Sequence, residues 1–184
     1  MLQIARRYVS IVDAVNYRIG RMMMYFIFVM IGILLWSSIS KTFFLPSLWT
    51  LEMAQFAMVT YYIMGGPYSI QLGSNVRMDL FYSSWTDRTR AWVDSCTILF
   101  LIFYLGILLW GGFESTEYAL QYGERSYSAW RPYMWPIKII MCVGLALMLL
   151  QAIAELIKDL FALRGEKIGR REEINPSGEV DRVE

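Results

Sequence analysis

The chain has 184 residues, 57% hydrophobic and 18% charged, with mean hydropathy +0.40 and formal net charge +1. Soluble domains carry about 25% charged residues; here the few charges gather between long apolar runs, which excludes a water-soluble globular fold. The absence of histidine excludes His-ligated haem, zinc or iron and Ser-His or Cys-His catalysis within the chain, and the small net charge gives no reason to expect nucleic-acid binding.

Residues 1–21 read as a helical lead-in. Ile4, Tyr8, Ile11, Val12, Val15 and Ile19 recur at helical spacing, with Arg6, Arg7, Asp13, Asn16 and Arg21 at other positions. This segment is either an interfacial helix or the cytoplasmic extension of the first span. Basic residues followed by an apolar run also resemble a signal peptide, but residues 36–40 (Trp-Ser-Ser-Ile-Ser) make a poor cleavage site, so the first helix is expected to be retained.

Residues 22–40, 53–76 and 95–113 carry no charge, and 139–154 forms a fourth such run that lengthens if Lys138 snorkels. A helix needs roughly 20 apolar residues to cross a bilayer core. The expected fold is therefore an all-α integral membrane protein with four transmembrane helices, at about 22–40, 51–72, 92–113 and 136–157. These form a single membrane domain over 1–164, followed by a polar cytoplasmic tail over 165–184. A turn containing Pro46 and Trp49 suits the first membrane–water boundary. After the second span, Asp79 is placed to cap a short interfacial helix whose apolar side is Leu80, Phe81 and Trp85, and Arg77 can pair with Asp79. Cys96 and Cys142 each fall within a span and read as small buried hydrophobes.

Orientation follows from the basic residues. With the N-terminus inside, thirteen of the 17 basic residues lie on inner segments and four (Lys41, Arg125, Arg131 and Lys138) on outer ones, so both termini are expected in the cytoplasm.

Two groups of residues stand out. At 100° per residue, Glu52, Gln55, Val59, Tyr62, Gly66, Ser69 and Gly73 share roughly a 100° arc of span two. Such a polar, small-residue stripe is expected to face protein. Glu52 is either a boundary acid that helps dock a helix or a transport-coupled acid. Gly65-Gly66-Pro67 is either a packing kink or the break of a discontinuous helix. The second group is the expected outer loop from Glu114 to Trp135, with Glu114, Glu117, Glu124, Arg125 and Arg131 among Tyr118, Tyr122, Tyr127, Trp130 and Tyr133. It is either an interfacial aromatic belt or a docking surface. No Walker loop, dinucleotide fingerprint or metal-ligand cluster occurs, so no cofactor and no enzymatic reaction is expected.

In order along the chain, Trp49-Thr-Leu-Glu52, Asn75-Val-Arg77-Met-Asp79-Leu, Arg88-Thr-Arg90, Gly123-Glu124-Arg125-Ser126 and Trp130-Arg-Pro132-Tyr-Met-Trp135-Pro136-Ile-Lys138 resemble the small membrane subunit, DctQ type, of tripartite ATP-independent periplasmic (TRAP) transporters. The resemblance covers roughly residues 20–157. It implies a scaffold in the bacterial inner membrane that pairs with a large membrane subunit carrying the substrate and sodium sites. A periplasmic solute-binding protein would deliver the solute. The alternative is a self-sufficient four-helix exporter with Glu52 as its proton-coupled acid.

Overall fold

Long uncharged runs without an internal turn signal give long helices, and four account for most of the chain. The computed structural model describes residues 2–44, 47–72 and 87–163. Helix α1 spans Leu2–Phe43, α2 Thr50–Gln71, α3 Asp87–Tyr122 and α4 Trp135–Leu163. The expected helix at 80–85, the Arg77–Asp79 pair and the tail over 165–184 lie outside the described residues.

Helix α1 is continuous over 42 residues, so the lead-in is an extension of the first span and not a separate interfacial helix. It contains no proline, and its two glycines, Gly20 and Gly32, stand singly. At 1.5 Å per residue α1 is about 63 Å long, roughly twice the hydrocarbon thickness of a bilayer. Helix α3 begins at Asp87 and ends at Tyr122, longer at both ends than the expected span. The stretch from Glu114 to Tyr122 is therefore helical rather than part of an outer loop, because no proline interrupts it and no glycine occurs until Gly123. Gly123 takes a left-handed φ of 60°, and the Glu124 N–H closes the helix on the Ala119 carbonyl at 3.1 Å, a glycine-dependent C-terminal cap.

Among the described residues, three helices are long and apolar enough to cross a membrane: Gln3–Phe43, Cys96–Tyr122 and Trp135–Phe161. Helix α2 has 22 residues, enough length to cross, but it is less apolar. Glu52, Gln55, Thr60 and the 65–69 segment Gly-Gly-Pro-Tyr-Ser dilute it.

Contact registers give the directions. Helix α1 runs antiparallel to α2: Gln71 donates to the Asp13 carbonyl at 3.2 Å, Gly20 abuts Tyr68, and the Thr50 hydroxyl lies 3.1 Å from that of Ser37. Helices α2 and α4 run parallel, with Ile63 against Gly144 and Gly66 against Met148. Helix α3 runs antiparallel to α4, with Gly112 and Thr116 against Cys142 and the Lys138 ammonium on the Ser115 carbonyl at 3.3 Å. Helix α4 thus carries α3 on one side and α2 on another, while α1 packs on α2 and crosses α4 near its C-terminal end. The N-terminus of α1 and the C-terminal half of α4 lie at the same end of the bundle, where Asp13 meets Lys158.

Candidate functional site

Within the chain, the stripe expected on α2 is only partly buried. Glu52 is buried, at 7% exposure; Val59, Gly66 and Ser69 are half-buried, whereas Gln55 and Tyr62 are exposed. Gly73 lies outside the described residues. The buried face of α2 overlaps the expected arc at Glu52 and Gly66 and extends beyond it on one side. Ile63 and Gly66 meet α4, Ala57 and Pro67 are buried, and Tyr68 meets Gly20 of α1. Glu52 occupies the first turn of α2, where a carboxylate favours the helix dipole, and its buried Oε2 has no hydrogen-bond partner.

The helix runs unbroken through Gly65-Gly66-Pro67, so this is not the break of a discontinuous helix. Pro67 lacks the N–H that the Ile63 carbonyl would accept one turn earlier. At that carbonyl α4 comes in with Gly144. A Cβ at position 144 would lie 2.2 Å from Ile63 Cγ2 and 3.2 Å from the Ile63 oxygen. Small residues at helix interfaces permit such backbone approach. The tight positions are therefore Gly144 and Gly20, on the helices facing α2. Gly66 is a looser one, because a Cβ there would meet the movable end of Met148.

A largely buried polar network joins α1 to α4. Asn16 is 1% and Gln151 0% exposed, and the Asn16 amide donates to Gln151 Oε1 at 2.6 Å. The Gln151 amide donates in turn to Asp13 Oδ1 at 2.9 Å and Glu155 Oε1 at 3.1 Å. Lys158 Nζ stands 2.8 Å from both Asp13 Oδ2 and Glu155 Oε1. One ammonium thus bridges two carboxylates, and the glutamine amide donates to both as well. Val9, Val12 and Ala154 pack beside it. Its signal in the sequence was the spacing of Gln151, Glu155 and Lys158, which puts all three on one face of α4, matched by Asp13 and Asn16 three residues apart on α1. Ending the fourth span at 157 cut this pattern.

At the opposite end, the expected docking residues divide into two sets. Glu114 and Glu117 sit exposed on the last turns of α3, where they accept from Trp110 Nε1 at 2.9 Å and Gln121 Nε2 at 3.0 Å. Glu124 and Arg125 belong to the turn that follows. Glu124 pairs with Lys138, and Arg125 donates to the Tyr133 hydroxyl and lies over its ring. Backbone bonds from Ser126 N–H to the Pro132 carbonyl and from Met134 N–H to the Glu124 carbonyl close the turn. Arg131, exposed, takes a left-handed φ of 52°, and its N–H reaches Ser128 Oγ at 3.3 Å. Tyr127 is fully exposed between them.

The largest feature is apolar. Only 11% of the most apolar stretch of α1 and 6% of that of α3 is buried within the chain, against 33% for α4. On α3 a shallow groove of about 400 Å³ is lined by Phe103, Gly106, Ile107 and Trp110. Among the described residues no cluster of three or more histidines, cysteines or carboxylates is placed to hold a metal ion.

A family model described as "Tripartite ATP-independent periplasmic transporters, DctQ component" matches residues 30–162. No curated protein matches the chain, and no solved structure matches it.

Two kinds of contact hold this bundle, and thermal unfolding separates them. Gly144→Leu forces a side chain into Ile63 and its backbone and should cost about 1–3 kcal/mol or more. Gly65→Ala, where an added Cβ meets nothing within 4 Å, should leave the melting temperature unchanged or slightly higher. Lys158→Met leaves Asp13 and Glu155 without their cation and should cost on the order of 3 kcal/mol, more than Asp13→Asn, which keeps the Lys158–Glu155 pair. Equal melting temperatures for Gly144→Leu and Gly65→Ala would refute the close-packing account.

Proposed function

This chain belongs to the DctQ component family of the tripartite ATP-independent periplasmic transporters, and on that premise we propose that it is the fixed scaffold beside a large transport subunit in a sodium-coupled, binding-protein-dependent importer. The small membrane component of such a transporter is a multi-pass protein of the inner membrane and not an enzyme. The observation that carries the scaffold reading is the uncovered apolar surface of α1 and α3 on a bundle otherwise held by close packing. Such a chain suits a role of adding breadth to a partner in the bilayer. Its ionised network is consumed in joining α1 to α4, and among the described residues no pair of broken helices is placed for alternating access. The self-sufficient exporter gains no support, since α2 is unbroken and the matched family is a transporter component.

In this reading α2 also crosses the bilayer, sheltered between α1 and α4, and both termini face the cytoplasm, as the excess of inner basic residues favours. Cysteines introduced at Ser47 and Ser126 should react with an impermeant reagent from outside, and one at Ser83 should be protected. The reverse pattern would overturn the orientation.

The outer end is where a soluble binding protein would dock, with Glu114 and Glu117 as exposed rim charges and the Glu124–Arg125–Arg131 turn beside them. Tyr127 and Trp130 would supply the anchoring area. In vesicles, solute uptake should require a large membrane partner and the binding protein, and this chain alone should accumulate nothing. Glu114→Lys with Glu117→Lys should raise the half-saturating concentration of binding protein severalfold at low salt. High salt should shrink that effect, since rim charges act through screened attraction. Uptake by the chain alone would refute the scaffold reading, and an unchanged half-saturation would remove these acids from the docking surface.

A further inference from the structure

The polar network between α1 and α4 leaves two buried oxygens unsatisfied. Asn16 is 1% exposed, and among the described residues its Oδ1 has no hydrogen-bond partner; nor has the buried Oε1 of Gln71. Turning the amides round removes neither orphan. Gln151 faces the carboxylates of Asp13 and Glu155, so it must present its NH2 group to them. Its Oε1 is then turned to Asn16, which must answer with its own NH2 group, at 2.6 Å. Asn16 Oδ1 is thus left over by a series of constraints that starts at the two acids. Gln71 is fixed in the same manner. Its NH2 group stands 3.2 Å from the Asp13 carbonyl, which the amide oxygen could only repel.

Both side chains gather around Asp13. Gln71 bonds the backbone carbonyl of that residue, and Gln151, which holds Asn16, bonds its carboxylate. The two oxygens therefore belong to one junction of α1, α2 and α4, at the end of the bundle where Asp13 meets Lys158. Gln71 is the last residue of α2, and Asn16 precedes the uncharged run of α1, which begins at residue 22. The junction lies toward an aqueous end of the helices and not in the middle of the hydrocarbon core, where no water is at hand.

Whatever satisfies these oxygens must be small, must donate and must fit inside the chain. A side chain from another subunit cannot reach them, because both atoms are covered by this chain itself. A metal cation does not fit: hard divalent ions take six or more oxygen ligands, and the Lys158 ammonium already stands 3.1 Å from Asp13 Oδ1. Water brings two O–H donors and is held by two to four polar partners when buried. We infer that the α1–α2–α4 junction is a binding site for internal water, which donates to Asn16 Oδ1 and Gln71 Oε1. Through it α2 is joined to the network that holds α1 on α4, and the three helices meet in one hydrogen-bonded joint. The assignment holds whichever subunit the chain assembles with.

The test uses the full chain in phosphatidylcholine nanodiscs, with asparagine, glutamine and alanine labelled with carbon-13 and nitrogen-15. Solid-state NMR reads how fast magnetisation passes from water to each site. The side-chain amides of Asn16 and Gln71 should receive it severalfold faster than the backbone amide of Ala57, which is buried further along α2. Gln71→Met keeps the length of the side chain and deletes one acceptor, and it should slow the transfer to Asn16 severalfold. Replacing sodium chloride by choline chloride should leave the carbon shifts of both side-chain carbonyls where they are. Transfer to Asn16 and Gln71 no faster than to Ala57 would show a dry junction and overturn the inference. So would transfer to Asn16 that ignores Gln71→Met, or carbonyl shifts that follow sodium, which would give the site to a cation.

Discussion

The approach of Gly144 to Ile63, where an added Cβ would lie 2.2 Å from Cγ2 and 3.2 Å from the carbonyl oxygen, is the tightest helix–helix contact at a glycine among the described residues, and the other helices can be placed around it. Pro67 leaves that carbonyl without its helical donor, and the glycine opposite lets α4 reach it. With α2 and α4 locked in parallel, α1 can return antiparallel along α2, where Gly20 admits Tyr68, and still reach α4 through Asp13 and Asn16. Helix α3 is then left with α4, through Gly112, Thr116 and Cys142. A bundle ordered in this way has a well-packed middle and two flanks whose apolar side chains point outward. In a bilayer that arrangement is stable, because lipid covers apolar flanks at no cost in exposed backbone. It is also suited to receiving a larger neighbour.

Much of this was legible in the sequence, for identifiable reasons. Uncharged runs bounded by arginines and acids mark helices wherever water and lipid impose opposite preferences, so helix number and approximate position follow from them. Boundaries were less legible. Glu114 and Glu117 signalled an outer loop by charge, yet a helix continues through charged residues until a residue such as Gly123 permits the turn. Helix α2 shows the limit of face assignment. Its polar arc runs from Glu52 to Ser69, but within the chain two neighbours on different sides cover Glu52 and Gly66 together with Ile63, Pro67 and Tyr68, leaving Gln55 and Tyr62 exposed. Of the Asp13–Gln151–Glu155–Lys158 network only the two halves show in the sequence, as helical spacings on α1 and α4, because they lie far apart in the chain. Only the fold brings its parts together.

Function in this family is a property of an assembly, and the chain's chemistry is consistent with that. Its polar groups are spent on internal joints: one ammonium between two carboxylates at one end, and a Glu124–Lys138 pair that fastens the turn to α4 at the other. Glu52 stands apart, buried with an unpartnered oxygen. In the scaffold account it contributes to the outer joint between α1 and α2, beside Thr50 and Ser37, and not to a proton cycle.

The central claim is that this bundle works as a fixed flank of a larger membrane protein. Its most direct test is the mass of the complex that the full-length chain forms when extracted gently from its native membrane, determined by native mass spectrometry. The account predicts a stable complex with one large hydrophobic membrane subunit, which dissociates when bulky charged side chains are introduced on the outward face of α3, as in Phe103→Arg with Ile107→Arg. A chain recovered only as a monomer or as a dimer of itself, unaffected by those substitutions, would contradict it.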